Sequence, residues 1–163
     1  EEVIVHVFDY MRTNFPVEKG LHEADSPEAR FQMIIRNLLH RFISPERPAW
    51  QVLLLGQERM NPHPVTLLIV HEEIRKTKNL LFSSISELLG PGMETEEIEI
   101  CEQCIIGQIL HQAHMRSPHA PPLVRRLSAT SVEIDKLAQY ITNFSLAGLR
   151  EVRRTAMERQ SAV

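Results

Sequence analysis

The chain has two cysteines, Cys101 and Cys104, and both stand in one short stretch. So few cannot build the disulfide framework of a small secreted domain, and a reducing cytoplasm is the expected setting. Also missing are a charged-then-apolar leader and any apolar run of about 18 residues, so neither secretion nor membrane insertion is expected. Basic residues are not in excess: the formal charge is -3 and the pI near 6.3, which argues against binding nucleic acid through net charge. An enzyme requires a nucleophile with a positioned base, or a matched acid and base. The sequence shows no GxSxG, HExxH, phosphate loop or paired catalytic carboxylates, so catalysis is not expected. There is no initiator methionine, and the opening "EEVIVHVFDYMRTNFP" is already amphipathic, as in a fragment of a longer protein. Internal repeats, low-complexity segments and period-two alternation are scarce or absent.

What is present is helical periodicity. With 43% apolar residues, 163 residues suffice for one domain with one core. Apolar residues recur three and four apart, which predicts an all-α bundle of about six helices. Val3, Val7 and Tyr10 or Met11 mark the first, ending before Phe15-Pro16. "SPEAR" supplies an N-cap at Ser26 with Pro27 in the first turn, followed by a stripe of Phe31, Ile34, Ile35, Leu38, Leu39 and Phe42. A short third helix fits between the prolines of "SPERPAWQVLLLGQERMNPHP". The longest element opens at Pro64, carries Leu67, Val70, Ile74, Leu81, Ile85 and Leu88 on one side, and closes at "GPG". A fifth helix covers about 96–115. The last begins at the capping-box pattern "TSVE" and continues to about Met157, with "REVRR" at 150–154 on a solvated face.

The stretch "CEQCIIGQILHQAH" at 101–114 has the look of a metal or redox site. At about 100° per residue, however, Ile98, Cys101, Ile105 and Ile109 form one stripe, while Ile100, Cys104, Gly107, His111 and His114 form another. Cys104 and His111 lie about 10 Å apart along the axis, too far to share an ion with bonds of about 2.0–2.3 Å. No metal is expected; the cysteines read as buried and unreactive and the histidines as interface residues. The second stripe, with small residues at 104 and 107, calls for another packed partner. The last helix has the same character: Ile134, Leu137, Ile141, Phe144, Gly148 and Val152 make a seam with small positions at Ala138, Ser145 and Gly148. Two such helices suggest a four-helix contact with a second copy, with Cys104, Gly107, His111, His114, Ile141, Phe144, Ser145, Gly148 and Val152 at the interface.

Four segments in order, "SPERPAWQVLLLGQERMNPHP", "EEIRKTKNLLFSSISELLG", "CIIGQILH" and "ITNFSLAGLREV", resemble the C-terminal domain of bacterial TetR-family transcriptional regulators of the CecR-like subgroup. The resemblance runs from about residue 10 to 155. Its marks are "PERPAW" before a helix with Glu58 and Pro62, the pair Gly107-Gln108, and the "FSLAGL" seam. It implies a cytoplasmic, homodimeric, ligand-sensing domain behind an N-terminal helix-turn-helix that reads operator DNA, in a repressor released by a small-molecule effector. Nothing upstream of Val3 can supply that three-helix reader, so operator contact is expected only through a domain outside this chain. Arg59, His63 and Lys76 depart from the family pattern.

Ligand pockets are mostly apolar with a few fixed polar groups. The candidates are therefore polar residues on apolar faces: Gln57 and Glu58 beside Trp50 and Leu54 on the short helix, Thr77 and Ser84 on the long one, Gln108 and Gln103 on the fifth, and Arg36 and His40 on the second. Each also has a structural reading, since hydroxyls bond back to helical carbonyls and charged residues pair locally. The expected effector is a small apolar or aromatic molecule, with no cofactor. A helical adaptor domain without a pocket is the other reading, because a bundle alone does not imply sensing.

Overall fold

The computed structural model describes residues 2–23, 25–47, 64–116, 122–123 and 129–161. Among them are five helices and no strand. The bundle expected to have about six helices thus shows five among the described residues, and the short helix expected within 48–63 falls outside them.

Helix α1, Glu2–Asn14, turns Val7, Phe8 and Met11 inward, and Pro16 follows two residues after its end. Helix α2, Pro27–Ile43, starts as its sequence dictates: the Ser26 hydroxyl accepts from the Ala29 amide at 3.2 Å, with Pro27 in the first turn. Phe31, Ile34, Ile35, Leu38 and Leu39 are fully buried. Asn37 is buried on the same helix and donates to the carbonyls of Val17 and Lys19, both at 2.8 Å, fixing the α1–α2 connection to the core. The Ser44 amide bonds to the His40 carbonyl and Pro45 ends the helix.

Helix α3, Pro64–Leu89, buries Leu81, Ile85 and Leu89 in its second half. Ile74 departs from the expected stripe and is 58% exposed. In that turn the buried position belongs to its neighbour Glu73, which is drawn inward by arginines of two other helices. Gly90 (φ +78°) and Gly92 (φ +89°) form the left-handed turn that closes α3. Helix α4, Thr95–Met115, follows at once, its start held by the Glu97 carboxylate accepting from the Glu94 amide at 3.3 Å.

Helix α5, Ser131–Ser161, with 31 residues, is the longest of the described helices, whereas the Pro64 helix, expected to be the longest, has 26. The Thr130 amide donates to Glu133 at 2.7 Å and the Glu133 amide returns to the Thr130 hydroxyl at 3.2 Å, the reciprocal cap that "TSVE" predicts. Its far end is tied to the α3–α4 turn: Gln160 donates to the Gly92 carbonyl at 2.7 Å and Arg159 pairs with Glu97. Helix α2 packs against α3, α4 and α5, and its apolar stripe forms the centre of the core. Helix α1 lies against α3.

Candidate ligand-binding and interface sites

Three helices meet at one buried carboxylate. Glu73 of α3 accepts from Arg41 Nη2 of α2 at 2.7 Å on one oxygen and from Arg12 Nε of α1 at 2.8 Å on the other. The Arg41 and Glu73 side chains are 8% and 9% exposed, whereas Arg12 is 42% exposed. Burial pushes the Glu73 pKa up, but the hydrogen bonds and charges of Arg41 and Arg12 outweigh it and hold the carboxyl below its ordinary range. Sequence reading missed this triad. Its only signal was a charged residue beside the apolar positions of a long helix.

The expected ligand residues are distributed as follows. Trp50, Leu54, Gln57 and Glu58 lie outside the described residues. Arg36 donates through Nε to Asp135 of α5 at 2.6 Å and so ties α2 to α5 at a half-exposed position, while His40 Nε2 lies 3.6 Å from the same oxygen, beyond hydrogen-bond distance. Thr77 is half-buried and Ser84 buried on α3. Gln108 bonds back to the Cys104 carbonyl at 3.4 Å, and Gln103 is exposed. An open depression of about 530 Å³ lined by Phe82, Ser83, Ser86, Glu87, Gly90 and Pro91 includes none of the expected ligand residues.

Two polar features of the interior were not expected. The Thr142 and Ser145 hydroxyls of α5 are buried without a hydrogen-bond partner. Glu102 of α4 is buried among the isoleucines of its helix, 6% exposed. Burial raises its pKa, the charge of Lys78 opposes that, and Glu99 adds to it.

On α4 the two stripes separate cleanly. Ile98, Cys101, Ile105 and Ile109 are in the core, and burial pushes the Cys101 thiol upward. Ile100 (52% exposed), Cys104, Gly107, Leu110 (41%), His111 and His114 lie on the surface of the chain. Among the described residues no group of His, Cys, Asp and Glu is arranged to hold a metal ion.

The seam of α5 divides. Phe144 is 74% exposed, Tyr140 65%, and Gly148 is open, whereas Val152 is partly covered. Ile141 and Ser145, expected at the same interface, are covered within the single chain at 6% and 5% exposure. They share a face with Ala138 and Leu149, which belong to the one core cluster that also contains the stripe of α2. A Cβ added at Gly107 or Gly148 would meet nothing within 4 Å, so both glycines front open space.

An all-α bundle with these segments in this order defines the C-terminal domain of a TetR-family transcription regulator. Within that class, residues 27–149 match the family of the HTH-type transcriptional dual regulator CecR, C-terminal domain, and the chain belongs to that family. No curated protein and no solved structure matches the chain significantly.

Proposed function

We propose that this chain is the ligand-sensing and dimerisation part of a cytoplasmic TetR-type repressor, which leaves operator DNA when a small apolar or aromatic effector binds. Operator contact is assigned to a helix-turn-helix domain outside the 163 residues, and none to a membrane; no described helix is long and apolar enough to cross one.

The observation that carries the reading is the outward surface of α4 and α5. Ile100, Leu110, Tyr140 and Phe144 expose apolar surface beside two glycines that leave room for a close helix approach. A two-fold pairing of α4 and α5 with their copies would cover it as a four-helix contact. Light scattering after size exclusion at micromolar concentration tests the pairing: a dimer is expected, and a monomer overturns it. Sensing is tested with the full-length regulator. Effector should lower operator occupancy in a gel shift, and operator binding unaffected by every ligand that stabilises the domain overturns the repressor mechanism.

A further inference from the structure

We draw no further inference here: the strongest candidate, the pair of buried hydroxyls of Thr142 and Ser145 on the core side of α5, has no hydrogen-bond partner among the described residues, but the open depressions of the surface are lined by other residues and nothing in the structure shows a group that reaches the pair.

Discussion

Arg41 and Glu73, from helices separated by a long stretch of chain, meet at 2.7 Å with each side chain less than one-tenth exposed. Arg12 occupies the carboxylate's other oxygen from the solvent side. Removing Arg41 leaves a buried carboxylate whose remaining cations, Arg12 at 2.8 Å and Lys76 at 3.9 Å, are both half-exposed and share its other oxygen. Arg41→Met is therefore expected to destabilise the domain by about 3–5 kcal/mol, read as a lowered urea midpoint at unchanged slope. Arg12→Ala should cost much less, about 1 kcal/mol, because solvent already screens it.

The same carboxylate sets an acid limit. Its folded pKa is depressed below the ordinary value, so the unfolded chain binds the proton more readily than the native one. The stabilisation is complete above the ordinary carboxylate range and is lost as pH falls through the depressed folded value. Unfolding followed from pH 6 down to pH 3 should show a loss of stability that is smaller in Glu73→Gln.

Glu102 should behave in the opposite sense. Its folded pKa is raised, with burial as the main cause and Lys78 and Glu99 as the charged neighbours, so the native state holds its proton more tightly. That contribution is present at low pH and fades as pH rises through the raised folded value. Glu102→Gln is expected to stabilise the ligand-free chain at pH 7 and to give a smaller gain at pH 4.5, measured by urea midpoints at the two pH values.

Neighbouring residues of α5 should separate assembly from folding. Phe144→Asp changes a side chain that is 74% exposed in the single chain, so circular dichroism should remain helical while light scattering shifts to a monomer. Ile141→Ala, three residues earlier but 6% exposed, should cost about 2–5 kcal/mol of stability as a core truncation. If Phe144→Asp leaves a wild-type dimer intact, the pairing surface lies elsewhere.

The helical caps offer a local check. Thr130 and Glu133 bond reciprocally at the start of α5. Thr130→Ala should cost about 0.5–2 kcal/mol, seen in thermal unfolding with no change in oligomeric state.

How far the sequence discloses this arrangement depends on whether the information is local. Ser26, Pro27 and the α2 stripe lie within a few turns of one another, and the helix forms where they place it. The two faces of α4 follow from the 100° step alone, since Ile98, Cys101, Ile105 and Ile109 go inward together. Other placements depend on partners far along the chain. Periodicity alone singles out neither Glu73 nor Glu102, and the structure buries both. Arg36 looks like a pocket residue until Asp135, 99 residues away, is brought beside it. The division of α5 between Ile141 and Phe144 is likewise decided by which side α2 covers. Trp50, Leu54, Gln57 and Glu58 fall outside the described residues, so the apolar half of the pocket remains a reading of the sequence.

The pairing of α2 with α5 has a consequence during synthesis. The stripe of Phe31, Ile34, Leu38 and Leu39 leaves the ribosome early, yet the helix that covers it from the other side begins only at Ser131. At about 5–20 residues per second, roughly 100 residues of delay amount to about 5–20 s. Through that interval the nascent chain carries the apolar centre of its core without its final cover. Chaperone engagement and aggregation on the ribosome should therefore peak before α5 emerges and decline once Asp135 can reach Arg36.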